Sequence, residues 1–463
     1  MEMAAGVVEM DVEKSSSDQN SIDAANFDLE SYISRYEGMT KIQRLRFIAR
    51  RCPEVKNEAY RLAIAELKMG INTAAYKEIM AEAGESLGPE QSLDAAWVES
   101  VDRKSQQTLE KLELELNQFK TNLIKESIRM GYHELGQHHL ARGDLSAAFK
   151  CFVRTRDYCA TGRHSAEMCL AVVKVAALMG NWVHVNNYVV KAEHTAEVST
   201  VPEVLGKLQA AGGLVQLEAK KYKTAAHKFL QVDPAMGSDF AEVMGPEDIA
   251  VYGGLCALAT FSRQELKSSV MENTKFKEFL DLVPQVRELI NDVYHSRYAS
   301  CLTRLREMRK DSVDLDIHLH PHVKTLYQQI RDNCLCQYFS PFLTVSLSSI
   351  VEAFGLGEEE LRKELTKLIV DGRINARIDS KAGTLHLNQS DERRMSYRKA
   401  LSMGSAYKRE ARSLLLRLSC MQNDFMIKGR KGRGINPESG GLVSGANAQE
   451  PGMAMSEAAE ELL

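Results

Sequence analysis

The sequence contains no long apolar run and no strong excess of charge of one sign. No stretch approaches the ~20 consecutive apolar residues that a membrane-spanning helix needs. The small, acidic, serine-rich residues 1–20 also lack the basic start and apolar stretch of a secretory signal. The formal net charge is only −4, so the chain as a whole is not built to coat nucleic acid or an anionic membrane. We therefore expect neither a membrane nor a nucleic acid among its partners.

Cysteine pairs and prolines are also scarce. The nine cysteines form no Cys-x-x-Cys pair and their number is odd, which favours reduced, buried thiols over a disulfide or zinc framework. Only ten prolines interrupt the 463 residues, so long stretches can form helix. The glycine-rich phosphate loop, the dinucleotide-binding glycine motif and the G-x-S-x-G elbow are all missing. We expect no cofactor and no catalytic site, in a cytosolic or nuclear protein.

The residues that are present predict a mostly α-helical protein of two or three structural units. Hydrophobic residues make up 44% of the chain and charged residues 26%, as in globular proteins with a real core. Residues 1–26 and 429–463 are predicted to be disordered tails, because they are rich in small and polar residues. A long helix is predicted to begin near Asp94 and to carry an apolar stripe of Leu109, Leu112, Leu116, Phe119 and Leu123.

The middle of the chain repeats. Leu145, Trp182 and Tyr222 each follow a predicted turn and are 37 and 40 residues apart. The residues three and seven positions further on are small or apolar in every copy: Ala148, Val185, Ala225, Phe152, Val189 and Phe229. This spacing is typical of tetratricopeptide-like helical hairpins and predicts roughly three helix pairs stacked into a solenoid. Solenoids usually offer a long surface for partners.

A compact unit at about residues 331–390 has the pattern of a winged helix. Its order is a short strand, two helices marked by apolar stripes, and two alternating strands joined by a Ser380–Gly383 turn. The corresponding ranges are 344–346, 347–354, 361–369, 373–379 and 384–387.

The last predicted element is a helix over residues 391–428. Its apolar and small residues recur at a strict spacing of three and four, as in the contact line of a helical bundle. We call these residues the seam: Tyr397, Ala400, Gly404, Tyr407, Ala411, Leu414, Leu418, Met421 and Phe425. One long helix cannot bury such a seam against itself, so we expect another chain to cover it.

The run His318–His322 contains the strongest candidates for metal ligands. Two histidines separated by one residue are typical of zinc isopeptidases, which also need a serine and an aspartate at fixed positions further along. Counted from His320, those positions hold Gln328 and Arg331, and an arginine beside the metal would repel it. We expect the histidines to lie in an irregular turn between helices, with no metal.

Two other features could bind nucleic acid or an acidic protein. The second helix of the winged helix, within Glu358–Asp371, has five acids against three bases, so it does not fit a phosphate backbone. The stretch Asp391–Arg433 has twelve bases against four acids. Its end, Lys428–Arg433, could be a nuclear import signal, a patch for an acidic partner, or only the solvated end of the terminal helix. The sequence leaves these alternatives open.

Helical repeats leading into a winged helix and a long terminal helix resemble the PCI proteins of the proteasome lid, the signalosome and an initiation-factor complex. Several strings are similar to the first-subunit family of the constitutive photomorphogenesis nine signalosome, in particular to its plant members. They are TNLIKESIRMGY (121–132), RTRDYC (154–159), YGGLCALATF (252–261), RYASCL (297–302) and ARIDS (376–380). The resemblance covers about residues 27–428. Related proteasome lid subunits share the architecture and are the main alternative.

The resemblance implies helical repeats over 27–228, a PCI domain over 229–390 and a bundling helix over 391–428. It also implies a non-catalytic scaffold in the nucleus and cytoplasm, within a complex that removes Nedd8 from cullins and so regulates cullin–RING ubiquitin ligases. The isopeptidase would be another subunit. In plants such a complex represses light-dependent development in darkness and acts in hormone responses.

Winged helices of this family associate through their small sheets, and the terminal helices gather in a bundle. Carried onto this chain, the resemblance implies docking to other signalosome subunits through strands 373–379 and 384–387 and through the seam. The candidate interface residues are Arg373, Asn375, Arg377, Asp379, Leu385, Leu387, Tyr397, Tyr407, Leu414, Leu418, Met421 and Phe425. Whether the N-terminal half contacts cullin–RING ligases is left open.

Overall fold

The structure is a computed structural model that describes residues 28–84, 93–195, 201–237, 240–355, 357–388 and 392–423. The predicted tails, Phe425, the basic run Lys428–Arg433 and most of the loop predicted at Gly84–Pro89 lie outside these ranges. The chain divides into two compact units, residues 1–389 and residues 390–463. Among the described helices, none combines the length and the apolar character needed to cross a membrane.

The N-terminal helices of the first unit have a core of their own. They are α1 (Leu29–Ile33), α2 (Gly38–Arg51), α3 (Lys56–Met69), α4 (Thr73–Ala83) and α5 (Ala95–Asn122). The helix predicted near Asp94 is confirmed, because the Asp94 side chain accepts a hydrogen bond from the Trp97 N–H (3.0 Å) and caps α5. Leu123 does not belong to the apolar stripe of α5. It is 80% exposed and its φ of 54° ends the helix.

Three helical hairpins follow, as the repeat predicts. They pair α6 (Lys125–Arg142) with α7 (Leu145–Arg154), α8 (Gly162–Leu178) with α9 (Trp182–Glu193), and α10 (Pro202–Glu218) with α11 (Tyr222–Leu230). Leu145, Trp182 and Tyr222 are each the first residue of the second helix. The six small and apolar residues three and seven positions further on are all buried. The repeat spacing therefore located both the turns and the packed face.

A more irregular set of helices connects the hairpins to the winged helix. It consists of α12 (Pro246–Thr260), α13 (Arg263–Glu265) running into a π-helical turn (Leu266–Met271), α14 (Thr274–Leu282), α15 (Pro284–Tyr294), α16 (Tyr298–Asp311) and α17 (Val323–Phe339). Pro284 stands at the start of α15, where the missing N–H costs nothing. Two short 3₁₀ turns, Val313–Leu315 and His320–His322, join α16 to α17 and confirm the irregular turn predicted there.

The predicted winged helix is present. Its elements are β1 (Thr344–Ser346), α18 (Leu347–Phe354), α19 (Glu358–Val370), β2 (Ala376–Asp379) and β3 (Thr384–Leu387). The antiparallel sheet has the order β1–β3–β2. β2 is shorter than predicted, because the N–H groups of Arg373 and Ile374 both bond to the Leu368 carbonyl at the end of α19.

The second unit contains one long helix, α20 (Glu392–Gln422). It begins as predicted and contains every seam residue except Phe425.

Candidate assembly surfaces

The winged-helix sheet offers a free edge on β2 but not on β3. β3 is the central strand, and it bonds to a neighbour on each side. The Leu387 N–H donates to the Leu343 carbonyl on the β1 side, and the Asn388 N–H donates to the Asn375 carbonyl on the β2 side, both at 2.8 Å. A strand bonded on both sides cannot accept a third strand. The expectation of docking through β3 is therefore corrected, and β2 is the predicted strand that has an open edge.

The open edge of β2 carries two outward peptide groups. Arg377 lies opposite His386 and Asp379 lies opposite Thr384. The Asn388–Asn375 bond fixes the phase of the ladder, and bonding alternates along an antiparallel pair. The N–H and C=O groups of Ala376 and Ile378 are consequently directed away from β3. They can bond to a strand of another protein.

The candidate leucines of the sheet belong to the core side. Leu385 is fully buried in the core, and Leu387 is half-buried against it. Alternation in a strand sends every second side chain inward, and these two leucines occupy the inward positions. Leu385 is therefore a packing residue and leaves the set of candidate contacts.

Two polar candidates are engaged within the chain. Arg373 donates to the Asp332 carboxylate (2.9 Å) and to the Asn333 side-chain oxygen (2.7 Å), which ties the sheet to α17. Asp379 accepts from the N–H groups of Lys381 (2.9 Å) and Ala382 (3.2 Å) and so shapes the hairpin turn. Asn375 and Arg377 are exposed beside the open edge. They are the polar side chains best placed for a partner.

The seam on α20 exposes its large residues along its described length. Its large residues are between 56% and 74% exposed: Leu414 and Leu418 56%, Tyr397 66%, Tyr407 and Met421 74%. Proteins that work as monomers rarely expose a continuous apolar stripe of this kind, and such stripes usually mark a contact with another molecule. The seam has the properties of an interface.

Apolar residues beside the seam widen it, and the three-four spacing does not include them. Leu401, Met403 and Leu415 are 57%, 60% and 66% exposed. Each directly precedes or follows a seam residue, so the apolar face is broader than a two-helix contact line. Such a face suits a helix with more than one helical neighbour.

A buried charged cluster joins α2 to the C-terminal half, and sequence reasoning did not find it. Arg44 is fully buried. Its guanidinium donates to Asp316 (2.7 Å) and to Asp248 (3.0 Å). Tyr36 donates to Asp248 (2.6 Å), and Tyr252 donates to Asp316 (2.8 Å). Buried charges persist only when paired and hydrogen-bonded in this way. The cluster is a structural joint that no substrate in solution can reach.

The two carboxylates of this cluster differ in their environment. Burial raises the pKa of Asp248 above its ordinary value, in spite of Arg44. Burial acts in the same direction on Asp316, but the charge of Arg44 and bonds from the backbone outweigh it and hold the pKa of Asp316 below its ordinary value. Of the two contacts of the Arg44 guanidinium, the one to Asp316 is the shorter.

The suspected metal ligands are engaged in packing. His318 and His322 lie 3.5 and 3.7 Å from opposite oxygens of Glu218, at the end of α10. Burial alone would raise the pKa of Glu218, but the two neighbouring histidines lower it to about 2. Arg331, at one of the missing ligand positions, lies 2.9 Å from Glu364 on α19. Within the described ranges, no group of three or more His, Cys, Asp or Glu side chains is arranged to hold a metal.

The second helix of the winged helix is packed by its apolar side. Leu361, Leu365 and Leu368 are all buried against the core, whereas Glu358, Glu359 and Glu360 are exposed at its N-terminus. Acidic groups are stabilised there by the helix dipole, but they would repel phosphates. This arrangement argues against DNA binding by α19.

A cavity of about 770 Å³ lies between the N-terminal helices and the first helices of the hairpins. Its lining includes Met39, Met69, Leu140 and Leu170, with the Lys174–Glu242 ion pair (2.6 Å) at one side. Met69 is 86% exposed at the end of α3. The cavity is large enough for an apolar segment of a partner.

Comparisons with known proteins agree with this architecture. A family model described as 26S proteasome subunit RPN7 matches residues 94–269, and that of the PCI domain matches residues 298–389. The chain is 47% identical to COP9 signalosome complex subunit 1 of Arabidopsis thaliana, over 89% of this chain and 94% of that protein. It is 37% identical to COP9 signalosome complex subunit 1b of Drosophila melanogaster, over 90% of each. Identity to the 26S proteasome non-ATPase regulatory subunit 6 homolog of Arabidopsis thaliana is 22%, over 67% of this chain and 80% of that protein. The chain therefore belongs to the family of COP9 signalosome complex subunit 1.

Proposed function

We propose that this chain is a non-catalytic scaffold subunit of a signalosome, held in the complex by α20 and by the edge of β2. The observation that carries the proposal is the exposed seam, whose large residues within the described part of α20 are 56–74% exposed. An apolar stripe of this length is stabilised when other helices cover it. Membership of the subunit 1 family supplies the identity of the complex.

Docking through the sheet would add a second contact. A partner strand beside β2 would bond to the outward peptide groups of Ala376 and Ile378, and it would pass the exposed side chains of Asn375 and Arg377. Strand addition fixes the register of the partner, whereas an apolar seam alone permits sliding. The two contacts together would hold the subunit in one orientation.

The activity of the whole complex is proposed to be removal of Nedd8 from cullins, which regulates cullin–RING ubiquitin ligases. Its location would be the nucleus and cytoplasm, and its role in a plant would be repression of photomorphogenesis and action in hormone responses. The isopeptidase would be a different subunit. We propose no metal for this chain, because Gln328 and Arg331 stand where the zinc site of such an enzyme needs a serine and an aspartate.

Affinity purification with mass spectrometry tests the assignment. The tagged full-length chain is expected to recover the other signalosome subunits from plant cells. Recovery of proteasome ATPases in their place would favour the alternative, a subunit of the proteasome lid. The isolated chain, incubated with a Nedd8–cullin conjugate, is expected to leave the conjugate intact. Cleavage by the isolated chain, with zinc bound at one ion per chain, would overturn the non-catalytic assignment.

The N-terminal half is proposed to contact cullin–RING ligases. The cavity beside Met39 and Met69 supports this proposal, because it is an apolar recess on the part of the chain that lies before the PCI match. Met69→Glu is expected to reduce recovery of cullins while leaving recovery of signalosome subunits unchanged. Equal recovery of cullins by Met69→Glu and the natural chain would remove the cavity from the ligase contact.

A further inference from the structure

The charges beside the seam are not distributed evenly. Arg398, Lys408 and Arg412 directly follow the seam residues Tyr397, Tyr407 and Ala411. Because each residue turns a helix by about 100°, the three bases lie on the same side of the seam. We call this side the basic flank. All three side chains are exposed.

The opposite flank has a different character. It is formed by the residues that directly precede the seam positions, and its charged members are Lys399, Glu410 and Arg417. The other described members of this flank are Ser396, Met403, Ala406, Ser413 and Cys420, of which Met403 is the one large apolar side chain. This flank therefore has a net charge of +1, whereas the basic flank has +3 and no acid. A helix that packs along the seam meets a different surface on each side.

The basic flank also contains apolar contact points. Leu401 and Leu415 lie on it, at 57% and 66% exposure, spaced between and beyond the bases. A neighbour that covers this flank must bury two leucines and face three positive charges. The complementary surface is an amphipathic helix with acidic residues along the edge of its apolar stripe.

We propose that the neighbour of the basic flank is an acidic amphipathic α-helix of a different subunit. Its carboxylates face Arg398, Lys408 and Arg412, and its apolar residues cover Leu401 and Leu415. The inference rests on the proposed function, because it names the chemistry of one partner in the helical bundle. It adds that the two sides of the seam are distinguished by charge, so this neighbour can dock on only one of them.

Other occupants fit the flank less well. A second copy of this chain would bring like charges together, which is unfavourable. A helix lying on an anionic membrane carries bases on both borders of its apolar face, whereas here Glu410 interrupts one border.

Two matched charge reversals test the proposal in the full-length chain co-expressed with the remaining signalosome subunits. Lys408→Glu/Arg412→Glu reverses two charges on the basic flank, and Lys399→Glu/Arg417→Glu makes the same change in net charge on the opposite flank. The first variant is expected to lower the fraction of chain that elutes with the complex about tenfold, since like charges then face each other. The control is expected to change it by less than about twofold.

Zero-length coupling of amines to carboxylates identifies the neighbour directly. In the natural complex, Lys408 is expected to couple to Asp or Glu residues of a helix in another subunit, and Lys399 is not. Equal loss of assembly in both charge variants, or coupling of Lys408 only to residues of this chain, would overturn the inference. So would binding of the full chain to phosphatidylserine-containing vesicles that is lost in Lys408→Glu/Arg412→Glu.

Different results would contradict the proposed function and the acidic neighbour. If the natural chain does not recover signalosome subunits, the proposed function is wrong. If the natural chain assembles and Lys408→Glu/Arg412→Glu assembles equally well, only the acidic neighbour is wrong.

Discussion

The ring of Phe229 occupies the space in which a side chain on Gly213 would lie. A Cβ added to Gly213 would come within 2.6 Å of that ring, too close for any real contact. Gly136 and Phe152 have the same relationship in the first hairpin, at 2.7 Å. In both hairpins the glycine precedes the phenylalanine by sixteen positions. The large ring on the second helix packs directly on the backbone of the first.

The middle hairpin has two medium-sized residues at the equivalent positions. Sixteen positions before Val189 stands Val173, and both are buried. The equivalent positions therefore hold a glycine and a phenylalanine in two hairpins and two buried valines in the third. A change at one position of the pair constrains the other.

Gly213→Ala is expected to destabilise the protein by about 1–3 kcal/mol, because the Phe229 ring must move. The sign of this change in stability is informative, because replacing glycine by alanine within a helix ordinarily stabilises a protein by up to about 1 kcal/mol. Adding Phe229→Val should recover part of the loss. Gly212→Ala, whose Cβ would meet Val189 at an ordinary 3.5 Å, is the control. Urea unfolding measures all four proteins, and equal stability of Gly213→Ala and Gly212→Ala would contradict the packing argument.

The repeat and its turns could be predicted because they are local. A large residue at Leu145, Trp182 and Tyr222, with small or apolar residues at fixed distances after it, marks each hairpin without knowledge of the rest of the chain. The β2–β3 hairpin was visible for the same reason. The seam was also visible, since an exposed helix keeps its periodicity whatever surrounds it.

The remaining features depend on contacts between distant segments. Pairing of β3 with β1 joins residues 42 positions apart, such as Thr344 and His386, and no periodic pattern in the sequence predicts this pairing. The order β1–β3–β2 was therefore not foreseen, and docking was assigned to a central strand. Arg44 contacts residues 204 and 272 positions away. Nothing near it in the sequence distinguishes it from the other arginines of α2, none of which is buried.

Arg44→Met is expected to destabilise the first unit by about 3–5 kcal/mol, because it leaves Asp248 and Asp316 buried without a counter-charge. Adding Asp316→Asn should recover part of the loss. The control is Arg35→Met, which removes a partly exposed pair with Glu247 and should cost less than about 1 kcal/mol. Thermal unfolding distinguishes the variants. Similar melting temperatures for Arg44→Met and Arg35→Met would mean that the cluster does not join the two halves.

Glu82 should make stability depend on pH in the acidic range. Hydrogen bonds from Arg46, followed by those from Arg50, outweigh burial and lower the pKa of Glu82 from 4.5 to about 2. Because the folded value is the lower one, this contribution is complete above about pH 5 and is lost as the pH falls toward 2. Glu82→Gln is expected to be less stable at pH 7 and to lose less stability between pH 5 and pH 3.

The control for Glu82 is Glu78→Gln. Glu78 also contacts Arg46, at 3.0 Å, but its side chain is 60% exposed. Urea unfolding at several pH values gives the free energy of unfolding as a function of pH. Between pH 5 and pH 3, its slope should be close to that of the natural protein for Glu78→Gln and smaller for Glu82→Gln. Identical slopes in the two variants would rule out Glu82 as the source.

Ile378→Pro is expected to weaken docking through the sheet while leaving the sheet intact. Its N–H is directed away from β3, so proline removes a donor that only a partner strand could use. Ile378→Ala removes the side chain but keeps the N–H and should assemble normally. Thr344→Pro likewise removes an outward N–H donor, in this case from the β1 edge. Co-elution with the other subunits measures assembly, and circular dichroism of each variant checks that it is folded. Equal assembly of Ile378→Pro and Ile378→Ala would exclude the β2 edge as a docking site.

Leu414→Asp and Leu418→Asp should each prevent assembly into the complex. Both leucines lie on the seam and are 56% exposed in the single chain, so a partner must bury them. An unpaired charge buried in an apolar contact costs several kcal/mol.

Leu416→Asp is the matched control, because Leu416 is 67% exposed but is turned away from the seam. The measurement is co-elution with co-expressed subunits, with helix content and unfolding temperature recorded for each isolated variant. All three should keep the first unit folded, since α20 forms the second compact unit. Only Leu416→Asp should enter the complex. If Leu414→Asp and Leu418→Asp entered as efficiently as Leu416→Asp, the bundle would have to contact a different face of α20.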